Sequence, residues 1–188
     1  MYFSFFILIL FTSFVLAMFF FSLRWLIFLF IPVLAGGGPY VPSSPEAVNR
    51  MIRLAQITST DITMDLGSGD GRIVIAAAQA GAKRSIGCEV YPFLVASSRN
   101  RVCLLGLQDC VEIRLESMWN TNLSGVTIVF LFQIHYALPK LKRLLESQLP
   151  RGARIISNDF KIPGWEPDLS EGNVHLYTIK DAFMRLLS

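Results

Sequence analysis

Met64-Asp65-Leu66-Gly67-Ser68-Gly69-Asp70-Gly71, followed by Ile86-Gly87-Cys88-Glu89, is the stretch that decides the fold. An apolar strand runs into a glycine-rich turn, the turn opens a helix, and an acid ends the next strand. That order of parts builds a nucleoside-cofactor site at the C-terminal edge of a parallel sheet.

The spacing then separates the cofactors. Gly67, Gly69 and Gly71 form G-x-G-x-G, whereas a dinucleotide fingerprint would place its third glycine at position 72, which is Arg72. A dinucleotide loop offers backbone N–H groups to a pyrophosphate, and Asp65 and Asp70 beside that group would repel it. A sulfonium cofactor with a zwitterionic methionine tail has the opposite needs. An acid holds its ammonium while the N–H groups of Gly67, Ser68, Gly69, Asp70 and Gly71 and the helix N-terminus face its carboxylate. Glu89, twenty residues after Gly69, is placed to accept hydrogen bonds from both ribose hydroxyls. The residues therefore point to S-adenosylmethionine.

Outward from this loop the chain alternates. The pattern predicts a helix begun by Ser43 with Glu46 as a capping box and Pro45 in its first turn. It then predicts strands over 62–66, 84–89, 111–115, 126–132 and 154–157, with helices over 72–80, 93–105 and 138–149 between them. Residues 174–179 alternate and are expected as an antiparallel edge strand. Strand and helix in alternation predict a three-layer α/β/α, Rossmann-like domain.

Before the domain lies a different kind of segment. The first charge in the chain is Arg24 and the next is Glu46, and the apolar run exceeds the ~20 residues that cross a bilayer core. It lacks the basic start of a cleaved signal peptide, so a retained transmembrane anchor is expected over 1–35, a linker over 36–43 broken open by Gly36-Gly37-Gly38-Pro39, and the catalytic domain over 44–188. Either the span covers 2–23 with Arg24 at the head groups, or it is centred nearer residue 20 with Arg24 snorkelling; Pro32 speaks against a two-span hairpin. Arg24 and the basic residues beyond it favour a single-pass chain with its domain on the cytoplasmic side. The mean hydropathy of +0.49 and the 53% hydrophobic content come mostly from this segment. A net charge of +3 with scattered Lys and Arg gives no nucleic-acid signature. Cys88, Cys103 and Cys110 have no metal spacing and read as reduced thiols, those of the predicted strand and helix as buried.

These residues carry a resemblance. The chain resembles the class I, seven-stranded S-adenosylmethionine-dependent methyltransferases. More narrowly, it is similar to the membrane-anchored protein-lysine methyltransferases of ATP-synthase c subunit and adenine nucleotide translocase, and to their prokaryotic relatives. The resemblance spans about residues 39–168. Its carriers are Pro39-Tyr40-Val41-Pro42, the run from Asp65 to Ala78, Glu89 with Pro92, Asp159-Phe160, and Trp165 with Pro167-Asp168. It implies that Tyr40 closes over the cofactor, that Asp65 and the Gly67–Gly71 loop hold its methionine end, and that Glu89 holds the ribose. Relatives usually carry an Asp for the adenine amino group where Ser117 stands here, and Met118 beside it is placed to pack on the adenine ring. The short region after Asp168 leads to the expectation that one edge strand of the seven is lost or replaced.

For the chemistry, Phe132-Gln133-Ile134-His135 ends the fourth strand where the methyl group should lie, without the Asn/Asp-Pro-Pro-aromatic motif of base methyltransferases. His135 is a candidate proton acceptor or a structural histidine, and Asp159 either holds a substrate ammonium or caps a turn. Trp165 and Phe160 read as core aromatics more than as a substrate lip, and His175 as an edge-strand residue. The leading expectation is methylation of a lysine of a membrane protein, with the bilayer as partner and neither metal nor nucleic acid involved. A lipid or quinone-like acceptor, and a non-catalytic cofactor-binding membrane module, remain open.

Overall fold

The computed structural model describes residues 2–34 and 39–180. The chain forms two compact units, Met1–Pro39 and Tyr40–Ser188. In the first unit, α1 (Tyr2–Leu34) is one unbroken helix of 33 residues, about 50 Å at 1.5 Å per residue. Within it Phe5–Ile27 is long and apolar enough to cross a membrane. Continuity through Pro32 excludes the hairpin. The expected break at Gly36–Gly38 lies outside the described residues.

The second unit is built on a seven-stranded sheet in the order β3-β2-β1-β4-β5-β7-β6. Its strands are β1 (Ile62–Leu66), β2 (Arg84–Glu89), β3 (Val111–Leu115), β4 (Ile128–Leu131), β5 (Arg154–Asn158), β6 (Leu169–Glu171) and β7 (Val174–Thr178). The first five are parallel, and β7 runs antiparallel between β5 and β6. Two expectations are corrected. The seventh strand is present, because the hairpin at Gly172-Asn173 adds the short β6. β7 is accordingly an inner strand, paired on both sides.

The helices are α2 (Pro45–Ala55), α3 (Arg72–Gln79), α4 (Pro92–Leu104) and α5 (Leu138–Gln148). Ser44, not Ser43, caps α2, its Oγ accepting from Ala47 N at 3.2 Å. Pro45 takes N1, so the Ser43/Glu46 capping box does not form. One face of the sheet is covered by α2, α3 and α4. There Met51, Leu54, Ile73, Phe130 and Ile156 make one cluster, and Val74, Ile75, Val95, Val102 and Ile113 another. The opposite face buries Met64, Leu66, Leu131 and Ile155 under α5, with Met118, Leu123 and Ile162 from two irregular segments taking the place of further helices.

At the N-terminal edge of the sheet, Asp61 joins three strands. It accepts from Arg154 Nη2 at 2.6 Å, Thr127 Oγ1 at 2.8 Å and Thr58 N at 2.7 Å. The chain passes from β1 outward to β2 and β3, then returns to lay β4 on the other side of β1. This reversal opens a crevice beyond the C-terminal ends of β1 and β4, the place where open α/β sheets bind ligands.

Candidate active site

The glycine loop closes β1 against β2. Gly67 N and Ser68 N both donate to Cys88 O, at 3.0 and 2.9 Å. Gly67, Gly69 and Gly71 have φ of 89°, 53° and 78°, values that only glycine adopts without cost. Space forbids side chains as well. A Cβ at Gly67 would fall 2.5 Å from Gln133 Nε2, and one at Gly69 would fall 2.5 Å from the Tyr40 ring. Tyr40 therefore lies directly on the loop. Beneath it, a Cβ at Gly87 would meet Ser68 Oγ at 2.6 Å, which fixes how closely the loop sits on β2.

Two acids meet at this loop. Glu89 is buried, with Oε2 accepting from Gly69 N at 2.9 Å and Oε1 from Val90 N at 2.7 Å and Tyr91 N at 2.9 Å. Three of a carboxylate's roughly four acceptor sites are thus taken. One ribose hydroxyl can be received without loss, while a second requires a loop N–H to let go. Asp65 is buried on β1 and its carboxyl has no hydrogen bond among the described residues. Desolvation, reinforced by the charges of Glu89 and Asp70, pushes its pKa up to about 8. The Asp65 oxygens are not among the side-chain atoms sealed from solvent, so the carboxyl opens on the crevice, where a cation would stabilise its ionised form.

Ser68 and Asp70 differ from their expected roles. The N–H groups of Gly67 and Ser68, expected to face the cofactor, donate to Cys88 O instead, those of Gly69 and Gly71 go to Glu89 Oε2 and Ser68 O, and among the described residues Asp70 N alone of the loop has no acceptor; Ser68 Oγ lies against β2 without a partner. The Asp70 carboxylate binds Arg72 Nη2 at 2.8 Å and Arg101 Nη1 at 3.0 Å. It staples the loop to α3 and α4, and Arg72 continues the link to Ser43 O. With Asp70 neutralised by two guanidinium groups, the acids left facing the crevice are Asp65 and Glu89, neither of which suits a pyrophosphate.

Beyond β3, Met118 is buried in the core formed with Met64, Leu66 and Cys88. Ser117 Oγ receives only a long bond from Trp119 N at 3.4 Å. Its neighbour Glu116, passed over in the sequence, bonds from its N–H to Glu89 O at 3.0 Å and receives Thr121 Oγ1 at 3.4 Å. Trp119 Nε1 is buried without a partner while Lys140 Nζ stands 4.1 Å over its ring.

At the β4 and β5 ends, Gln133 is buried and its Nε2 donates to Leu66 O at 2.7 Å, bridging the crevice from β4 to β1. Sequence reading passed over it, although it stands inside the segment expected to face the methyl group. His135 is exposed, with its ring centroid 6.0 Å from Tyr136 and 6.5 Å from Phe160. Asp159 is also exposed and has a φ of 66°. Its Oδ1 accepts from Asn173 Nδ2 at 3.0 Å and its N–H donates to Asn173 O at 2.8 Å. The structure thus ties Asp159 to the β6–β7 turn. His135 and Asp159 lie at neighbouring strand ends without touching each other. Phe160 and Trp165 pack on the core, and His175, expected at an edge, is buried with Nδ1 2.8 Å from Ser170 Oγ. Cys88 is buried, whereas Cys103, expected to be buried, is exposed on α4. No cluster of three metal-binding side chains occurs among the described residues.

A family model, the ANTKMT methyltransferase domain, matches residues 65–169, from the acid of β1 to the start of β6. The chain belongs to this family. Its relatives include the Protein-lysine N-methyltransferase of Saccharolobus islandicus, 33% identical over 75% of this chain and 93% of that protein. The lysine N-methyltransferase of the ATP-synthase c subunit from Rattus norvegicus is 35% identical over 71% of this chain, a match that spans 61% of the rat protein. Among solved structures, an RNA methyltransferase from Salinibacter ruber in complex with S-adenosyl-L-homocysteine superposes with a TM-score of 0.72 at 38% identity, over 74% of this chain and 94% of that one. The fold is the seven-stranded methyltransferase fold expected from the sequence.

Within this family frame the residues fit the expected cofactor. The glycine cradle has no room for side chains, and Asp65 offers a buried acid that lacks a cation. Glu89 retains one acceptor site at the β2 end, as the ribose of S-adenosylmethionine requires.

Proposed function

We propose that this chain is a membrane-anchored, S-adenosylmethionine-dependent protein-lysine N-methyltransferase whose acceptor is a membrane protein. The observation that carries the reading is the unpartnered Asp65 carboxyl buried at the head of the glycine loop. Such a group is stabilised by an ammonium, which a methionine tail supplies and a pyrophosphate does not. The lysine acceptor rests on relatives whose names state it, one of them matched over 93% of its length. Anchoring rests on Phe5–Ile27 and its lack of charge up to Arg24. The basic residues that follow favour a cytoplasmic domain.

When bound, the cofactor supplies a methyl group on a positively charged sulfur. The chain's own residues do the rest. Ionised Asp65 receives the ammonium, Asp70 N and the α3 N-terminus face the carboxylate, and Glu89 accepts one ribose hydroxyl. Tyr40 covers the loop from the solvent side. Ser117 and Met118 line the adenine end, Met118 through packing. The acceptor lysine must arrive neutral, and alignment supplies most of the rate. His135, exposed at the rim, accepts the proton or relays it to water.

The test uses the full chain in its own membranes with methyl-labelled S-adenosylmethionine, followed by separation of protein, lipid and RNA. Label on a protein band, absent with Asp65→Ala, supports the reading and gives the acceptor's size. Label in lipid moves the acceptor to a lipid or quinone-like molecule, and label in RNA moves it to the substrate class named for the Salinibacter structure. No label, despite cofactor binding by the unmutated chain, leaves a non-catalytic module.

A further inference from the structure

The crevice between β1 and β4 is bridged by one side chain, Gln133, and half of its carboxamide is committed. A carbonyl oxygen only accepts, so the 2.7 Å contact to Leu66 O identifies the atom there as Nε2, the donor. Its Oε1 is left without a hydrogen bond among the described residues. Three side-chain polar atoms among those residues are sealed from solvent without a partner, namely Arg50 Nε, Ser68 Oγ and Trp119 Nε1. Gln133 Oε1 is not one of them, so solvent reaches it although the residue as a whole is buried. Gly67, directly beside the carboxamide, is exposed as well. The structure therefore holds a fixed neutral acceptor at the open end of the crevice, next to the first glycine of the loop.

We propose that Gln133 Oε1 accepts a hydrogen bond from the target amine and aligns its lone pair for methylation. This rests on the reading of the site as an amine methyltransferase. The amine must first lose a proton to water or to His135. Its nitrogen lone pair then forms the new N–C bond while the C–S bond breaks with its electron pair going to sulfur, and the second N–H stays bonded to Oε1. A neutral acceptor suits that sequence. A lysine amine has a pKa near 10.4 in water, and a carboxylate at the same place would hold the ammonium form and raise that value further. An amide oxygen orients the amine with much less preference for its charged form. The bond from Nε2 to Leu66 O keeps the carboxamide from rotating, so the acceptor is positioned before the substrate arrives.

A purely structural role, clamping β4 to β1, predicts different results, and two variants of the full chain separate them. Initial rates of label transfer to the membrane protein fraction are measured against pH, with affinity for S-adenosylhomocysteine measured by calorimetry on the same preparations. Gln133→Met keeps the bulk and removes both polar arms. It is expected to lower the transfer rate about 30-fold or more, within the range for one positioned group, while affinity changes by less than about fivefold. Gln133→Glu keeps an oxygen acceptor and adds a charge. It is expected to move the midpoint of the pH–rate profile upward by about one unit, as a carboxylate beside a cation does. Rates that fall only in proportion to affinity in Gln133→Met, or an unmoved midpoint in a Gln133→Glu that still binds the cofactor, would overturn the proposal. An unmutated chain that binds cofactor and labels no protein overturns the methyltransferase reading itself, and this inference with it.

Discussion

Asp65 shows what a single residue contributes here. With a pKa raised to about 8, it is mostly protonated at pH 7, and an arriving ammonium favours its ionised form. Cofactor binding near pH 7 is expected to release about one proton, read by calorimetry in buffers of different ionisation enthalpy, and Asp65→Asn is expected to release none. The sign for the free protein follows from linkage. Its folded pKa lies above the value of 3.8 for an ordinary Asp, so this group's contribution to stability is complete below about pH 4. The contribution is lost as the pH rises through 8. Gly69→Ala tests the cradle, since it adds a positive-φ cost to a contact of 2.5 Å with the Tyr40 ring. About 1–2 kcal/mol of stability should be lost, together with tenfold or more in cofactor affinity, both measurable by thermal melts and calorimetry. At this scale the sequence disclosed residue types and order. It disclosed Asp65 and Glu89 because strand ends fix where those side chains begin. It misassigned the N–H groups of Gly67, Ser68, Gly69 and Gly71, because their acceptors are set by how the loop sits on β2 and Glu89, and it did not show the ion pairs of Asp70, because no local pattern links Arg101 to the loop. Gln133 escaped because its partner, Leu66 O, lies 67 residues away.

Among elements, the parallel core was legible from periodicity, and the boundaries of β1, β2 and β3 match the expectation to the residue. Three-residue β6 was not, because so short a strand has no period and exists only by pairing with β7. The cap of α2 moved by one residue, since Ser43 and Ser44 are equivalent in sequence and only the backbone direction into Pro45 separates them. The lower edge of the sheet carries its own test. Desolvation raises the Asp61 pKa, but hydrogen bonds from Arg154, Thr127 and Thr58 outweigh it and bring it down to about 2. Stability from Asp61 is therefore present above about pH 4 and lost as the pH falls through 2. Asp61→Asn should cost about 2–3 kcal/mol and lower Tm at pH 7. Calorimetry should find cofactor affinity unchanged, because this edge lies at the opposite end of the strands from the loop.

For the molecule as a whole, the chain joins one long apolar helix to one catalytic-type domain. If α1 spans a bilayer, the full chain stays in the membrane pellet through alkaline carbonate washing and leaves it only with detergent. Recovery in the carbonate supernatant would remove the anchor from the proposed function and leave the methyltransferase reading standing. The helix has a further consequence. Its described side chains, from Phe5 to Ile27, are exposed and almost uniformly apolar around the whole circumference, so no stripe distinguishes one side from another. In lipid, such a surface would set no preferred azimuth and, among the described residues, offers no continuous polar or small-residue seam for a fixed neighbour. If the helix lies in a bilayer, it confines whatever it carries to a two-dimensional search, in which encounter frequency rises while the direction of approach stays free. Selection among acceptors then falls to the domain's own crevice.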